Sequence, residues 1–219
     1  MNWQIFPQKS QTEQPPQFDS ANICHVYTAQ IPANLQIEPL PCQLRNQQIA
    51  EATHPLVKAE KYYVWKLLQY ALHKTFGYNA QDMHFDCNNG RWTTPSCHFS
   101  LSHSNGVVAC AVSNAQVGVD IELVSSTRRD VVARVLTWEE KDSVANLSGK
   151  QLDEALLTIW SQKESIFKSV GGNNFVPSKV QTVGANVASK VMDVGNNQFV
   201  LSTSTPLVEQ ICYFIDIQL

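Results

Sequence analysis

Leu157–Gly172 reads LTIWSQKESIFKSVGG. Trp160, Glu164, Phe167 and Lys168 recur at intervals of three and four, so a helix carries all four on one stripe. A helix packed on a core presents an apolar stripe, and a solvated one presents charges. This stripe pairs a Trp and a Phe with a carboxylate and an ammonium. Solvation explains the charges but not the aromatics beside them; a site built on a rigid element explains both. On this helix alone, Glu164 and Lys168 at i,i+4 also fit a simple surface pair. Lys163, between the carboxylate and the aromatics, has no ready reading, whereas Trp160 and Phe167 are expected to anchor the helix in a core.

The chain has 219 residues, enough for one large domain or two small ones. Hydrophobic residues at 43% and charged ones at 16% argue against disorder. The net charge of −3 supplies no basic field for nucleic acid. MNWQIFPQKS has no basic segment followed by an apolar run, so it does not read as a secretory signal. The longest apolar run, Val107–Val112 (VVACAV), is far too short to span a membrane. A soluble cytoplasmic monomer is expected. Among six cysteines there is no C-x-x-C pair, and a chain this long without a secretory signal is not expected to carry a disulfide framework. His84 and Cys87 have a ligand-like spacing that no second pair answers, which argues against zinc.

Residues 8–21 are polar and Pro-rich and read as a loop. Ile23–Ile31 alternates like a strand. The segment from Leu44 to Tyr78 is helical in period and broken at Pro55, with Val64, Leu67, Leu68 and Ala71 on one apolar stripe. FDCNNGRWTTPS reads as loop with an Asn-Gly turn. HFSLSHS and GVVACAVS form two strands around a polar break, and AQVGVDIELV is another. RRDVVARVLTWEEKDSVANL reads as helix, followed by a Gly-Lys-Gln break, the helix quoted first, and closing strands VASKVMDV, QFVLSTST and QICYFIDIQL. Each half thus shows helix plus several strands. The expected class is α+β, with halves 1–114 and 115–219 meeting near Asn114–Gln116.

Two further clusters carry chemistry. In Val117–Glu122 (VGVDIE), Asp120 and Glu122 alternate on a strand and point to one face. Their mutual repulsion is relieved by a shared cation, and oxygen donors suit magnesium; a solvated sheet face is the plainer alternative. In FSLSHSNG, Phe99 and Leu101 alternate with Ser100 and Ser102, and His103 follows. Hydroxyls, backbone N–H groups and an imidazole together suit a phosphate; a loop histidine is the alternative. No G-x-S-x-G elbow is present, so acyl hydrolysis has little support.

In order and spacing, FSLSHS from Phe99, VGVDIE from Val117 and WSQKESIFK from Trp160 resemble the 4′-phosphopantetheinyl transferases. Every fixed position of that family's W-x-x-K-E-[AS]-x-x-K signature is matched. The length is similar to the Sfp-type class, in which two similar α/β halves of one chain form a pseudo-dimer with coenzyme A in the cleft between them. The resemblance implies transfer of the 4′-phosphopantetheine arm to a serine of an acyl, peptidyl or polyketide carrier protein, with adenosine 3′,5′-bisphosphate released. It implies Mg2+ on Asp120, Glu122 and Glu164, Lys168 on the pyrophosphate, and His103 with Ser102 at the 3′-phosphate. Glu164 is implied as the base. Glu140 matches an accessory acid, with Glu139 beside it as the alternative.

This chain departs from the family in its basic residues. Arg45 is followed by neutral Asn46, Gln47 and Gln48, which leaves Lys58 and Lys61 as candidates for the 3′-phosphate. A Gly-Lys-Pro turn of the family reads Gly90-Arg91-Trp92; Arg91 keeps the charge, and Trp92 is a candidate to stack on adenine. STRRDVVARVL, Ser126–Leu136, offers Arg128, Arg129 and Arg134 with Val131, Val132 and Leu136 as a carrier-protein surface. Two other readings compete: a magnesium-dependent phosphodiesterase using the same acids, and a non-catalytic scaffold that binds a nucleotide or a carrier protein.

Overall fold

The strand Val107–Ser113 (β6) is buried at every position, which explains an unbroken apolar run where alternation is the rule for a half-exposed strand. Val108, Cys110 and Val112 pack under the helix Pro55–Phe76 (α2). Val107, Ala109 and Ala111 pack on Val119, Ile121, Phe199 and Leu201 of a second sheet. The computed structural model describes residues 3–5, 23–172, 174–206 and 211–217, with backbone alone for 3–5, 23 and 211–217. The loop expected at 8–21 lies outside the described residues. The result is an α+β fold in four layers: α2, a five-stranded sheet, a three-stranded sheet, and the helix Gly149–Val170 (α5).

The first sheet runs in the order Trp3–Ile5 (β1), Ile211–Ile217 (β10), Ile23–Gln30 (β2), β6 and His98–Ser104 (β5). β10 is parallel to β1 and β2, and the rest is antiparallel. The second sheet is antiparallel: Gly118–Leu123 (β7), Asn197–Ser204 (β9) and Val187–Val194 (β8). Each sheet carries one 22-residue helix. β10 crosses the expected division at residue 114, because it comes from the second segment and pairs with β2 of the first.

The two sheets meet through side chains. The N–H groups of Val119, Ile121 and Leu123 donate to the hydroxyls of Ser100, Ser102 and Ser104 at 3.0, 3.3 and 3.2 Å. The alternating serines of β5 therefore stand in for a neighbouring strand and satisfy the edge of β7 that β9 leaves open.

Several local expectations are corrected. FDCNNGRWTTPS forms a hairpin, Asp86–Asn88 (β3) and Arg91–Thr93 (β4), since Asn89 and Gly90 both adopt positive φ, as a two-residue turn requires. The helix expected from Arg128 to Leu147 is two, Arg129–Ala133 (α3) and Trp138–Val144 (α4). A capping box restarts it: Thr137 accepts from the Glu140 N–H, and the Glu140 carboxylate accepts from the Thr137 N–H. Gly149-Lys150-Gln151 is the first turn of α5, not a break.

Trp160 and Phe167 do not form the buried face of α5. That face is Asp153, Leu156, Leu157, Ile159, Ser161, Lys163, Ser165 and Ser169; the two aromatics are half-buried around Phe175, and Trp160 packs, as expected, against the core of Val132, Leu136, Leu156, Leu157, Ile159 and Val200. Small residues are needed there because α5 crosses β7 at close range: a Cβ on Gly118 would lie 1.8 Å from the Ser165 carbonyl oxygen. Among the described residues no helix is long and apolar enough to cross a membrane.

Candidate active site

β7 turns Val119 and Ile121 into the core between the sheets and Asp120 and Glu122 toward α5. Glu164 and Lys168 come from α5 one turn apart, 3.4 Å between charged atoms. These four line a cavity of about 380 Å³ with Ser102, His103 and Arg128. A second cavity of about 230 Å³ shares Leu101 and Lys168 with it and is lined also by Arg91, Trp92, Phe99 and Phe167.

Asp120 is 2% exposed. Its Oδ1 accepts from Lys168 Nζ at 2.6 Å and Ser102 Oγ at 2.8 Å, while its Oδ2 is buried with no hydrogen-bond partner. Ser161 Oγ holds the Asp120 carbonyl at 3.2 Å. Glu122 Oε1 accepts from Arg128 at 2.5 Å and from Trp160 Nε1 at 2.9 Å, and the Arg128 guanidinium lies 4.8 Å above the Trp160 ring. Of the stripe in LTIWSQKESIFK, Glu164 and Lys168 thus line the charged cavity, Trp160 holds Glu122 through its indole N–H, and Phe167 lines the adjoining cavity.

The acids feel one another. Burial first, and then the Asp120 charge, pushes the Glu164 carboxyl up to about 7, against the pull of Lys168. Burial and Asp120 also raise Glu122, offset by Arg128 and Trp160. Burial works against the Lys168 charge, but Asp120 and Glu164 outweigh it and hold the ammonium above its ordinary range. As they stand, the acids do not form a closed metal cage, and no such cage occurs among the described residues. The donor set is nonetheless all oxygen and concentrated in one partly closed space.

The other expected site residues divide. Ser102 and His103 line the cavity, but the single O–H of Ser102 is committed to Asp120. Arg91 lies in the adjoining cavity, its guanidinium over Gly171 at the end of α5. Lys58 and Lys61 line neither cavity, and Lys61 Nζ donates to the Gln48 carbonyl at 3.2 Å. Trp92 is 8% exposed, and its ring packs 4.6 Å from Trp65 with Arg45 over both, so most of it belongs to the core although it also lines the adjoining cavity. Glu140 is fully buried beside Lys163, 2.7 Å away, and has a structural place. On the expected carrier surface, Val132 and Leu136 are buried, Arg128 and Arg129 pair with Glu122 and Asp153, and Val131 alone of the three apolar residues is exposed.

Three groups escaped the sequence reading: Arg128 as a partner of Glu122, the indole N–H of Trp160, and Glu60. Glu60 Oε2 lies 3.1 Å from His103 Nδ1, and its Oε1 accepts from the Gly106 N–H at 2.9 Å. The signal for Glu60 was present. It stands one turn before Val64 on the apolar stripe of α2, a carboxylate where a hydrophobe is expected.

Residues 116–190 match the model of the 4′-phosphopantetheinyl transferase superfamily. Over 109 residues the chain is 28% identical to 4′-phosphopantetheinyl transferase psf-1 of Bacillus pumilus, covering 48% of this chain and 47% of that protein. It is 31% identical over 86 residues to 4′-phosphopantetheinyl transferase Sfp of Bacillus subtilis, covering 38% and 37%. It is 30% identical over 80 residues to 4′-phosphopantetheinyl transferase gsp of Aneurinibacillus migulanus, covering 36% and 34%. The chain therefore spans about half the length, or less, of the curated relatives it matches. The matched segment contains Asp120, Glu122, Glu164 and Lys168, and His103 and Arg91 lie outside it. Residues 116–190, which supply every acid of the cavity, are the part of the chain that is similar to the 4′-phosphopantetheinyl transferase superfamily.

Proposed function

We propose that the chain transfers the 4′-phosphopantetheine arm of coenzyme A to a serine of an apo acyl, peptidyl or polyketide carrier protein. The observation that carries this is the convergence of Asp120, Glu122, Glu164 and Lys168 on one cavity inside the family-matched segment. Two sheets, each bearing one long helix, fit a pseudo-dimer whose cleft takes coenzyme A.

The acids suit a magnesium ion: all donors are oxygens, Asp120 Oδ2 is buried without a partner, and Glu164 is held back from ionising by burial and by its acidic neighbours. Asp120, Glu122 and Glu164 would hold that ion, and when bound it would offset charge on the pyrophosphate oxygens. The serine oxygen forms a bond to the β-phosphorus as the bond to adenosine 3′,5′-bisphosphate breaks. Glu164 is the carboxylate placed to take up the serine proton, directly or through a water molecule. Lys168 stabilises the negative charge that grows on the leaving phosphate.

The test is mass spectrometry of an apo carrier protein incubated with this protein, coenzyme A and magnesium. A gain of the phosphopantetheine mass on serine, abolished in Asp120→Ala, is expected. Coenzyme A cleaved with no gain on the carrier would assign the site to hydrolysis instead.

A further inference from the structure

We propose that Glu60 is a positioning residue for His103, aiming one ring nitrogen of the imidazole at an anionic group of the substrate. His103 lies on the last turn-facing part of β5, 36% exposed, and lines the cavity of the three acids. Glu60 comes from the opposite side, on α2, with only 6% of its side chain exposed. An ionised carboxylate accepts hydrogen bonds and cannot donate one. The Glu60 carboxyl stays below its ordinary range although burial opposes this, because hydrogen bonds from His103 and the Gly106 N–H outweigh that penalty. The His103 atom that faces it, Nδ1, is therefore the N–H. Nε2 is the nitrogen left for the cavity, and the negative charge behind the ring offsets a positive charge on it.

The rest of the contact fixes the ring's position. Glu60 Oε1 accepts from Gly106 in the turn between β5 and β6, where Asn105 and Gly106 both have positive φ, and Ile31 N–H donates to the Gly106 carbonyl at 2.8 Å. One buried carboxylate thus ties the helix, the turn and the imidazole together. The chemical class that suits such an imidazole is a phosphate monoester. Since Lys58 and Lys61 line neither cavity, recognition of a 3′-phosphate falls chiefly on His103 and, in the adjoining cavity, Arg91.

The inference rests on the reading of this cavity as a coenzyme A site, and its test separates the two. Glu60→Gln keeps the size of the side chain and an acceptor for Gly106 while removing the charge. Long-range nitrogen–proton NMR, with the His103 signal assigned by its loss in His103→Gln, should show the proton on Nδ1 in the wild type and no fixed Nδ1–H in Glu60→Gln. Binding of coenzyme A should weaken about ten-fold in Glu60→Gln, as expected for losing one charge-assisted contact, with binding of 3′-dephospho-coenzyme A nearly unchanged. An Nδ1–H that persists in Glu60→Gln, or equal loss for both ligands, overturns the positioning role and leaves Glu60 as a tie for the turn. If His103→Gln also fails to distinguish the two ligands, the assignment of the 3′-phosphate to this end of the cavity falls with it.

Discussion

Glu140 and Lys163 lie 2.7 Å apart with 1% and 0% of their side chains exposed. Glu140 also accepts from the N–H groups of Thr137 and Thr182 and the Thr182 hydroxyl, and Lys163 donates to the Val180 carbonyl. Glu164, one residue along the helix from Lys163, faces the cavity instead, because successive helical residues point about 100° apart. The same helical turn therefore carries a buried cation and a cavity-facing acid side by side. Burial works against the Glu140 charge, but Lys163 and the N–H donors outweigh it and hold the carboxyl below its ordinary 4.5. A depressed carboxyl contributes stability that is present above the unfolded value near 4.5 and is lost as pH falls through the folded value. Replacing Glu140 by Gln should cost about 3–5 kcal/mol at pH 7, because it strands a buried ammonium. Urea denaturation across pH should show the gap to wild type closing below the unfolded value. Turnover per folded molecule should stay near normal; a large fall in kcat in the folded variant would return Glu140 to the chemistry.

At the scale of elements, two contacts hold the cavity together. The first is the close crossing of α5 on β7. Gly118→Ala must push its Cβ away from the Ser165 backbone, which shifts Glu164 and Lys168 relative to Asp120. Overpacking of this kind should cost about 2–3 kcal/mol, lowering Tm by roughly 4–12 °C for a chain of this size. The second is the serine ladder. Ser100→Ala leaves the Val119 N–H without its hydroxyl partner, with an expected loss of about 1–3 kcal/mol. Ser102→Ala removes partners from Ile121, Asp120 and Lys168 together, so it should lower activity as well as stability. Activity and thermal melts on the two variants check this; equal activity losses would mean that Ser102 plays no part beyond the ladder.

At the scale of the molecule, the two sheets are not independent. Val107, Ala109 and Ala111 of one share a core with Val119 and Ile121 of the other, and β10 returns from the far end of the chain to sit between β1 and β2. Residues 1–114 expressed alone would lack β10 and expose one face of β6. They should show no cooperative melt by circular dichroism, and a cooperative transition should appear only on mixing with residues 115–219. A fragment 1–114 with its own sharp melt would show that the first half folds by itself.

Repeating patterns in the chain were enough to find both long helices, most of the strands, and the three acids with Lys168. Helical and strand periods dictate which residues share a face, and an acid on such a face is visible without knowing what it meets. The α+β class followed from those local rules, whereas the family likeness rests on the motifs FSLSHS, VGVDIE and WSQKESIFK, the last two of which lie in the matched residues 116–190. What lies opposite a face is not local. Glu60 meets His103 across 43 positions of chain, and Lys163 pairs with Glu140 from another helix. Trp92 is drawn into the core by Trp65 and Arg45, and β10 is placed by pairing at long range. These were decided only when the layers packed, because a buried charge or aromatic takes whichever partner the fold brings within reach.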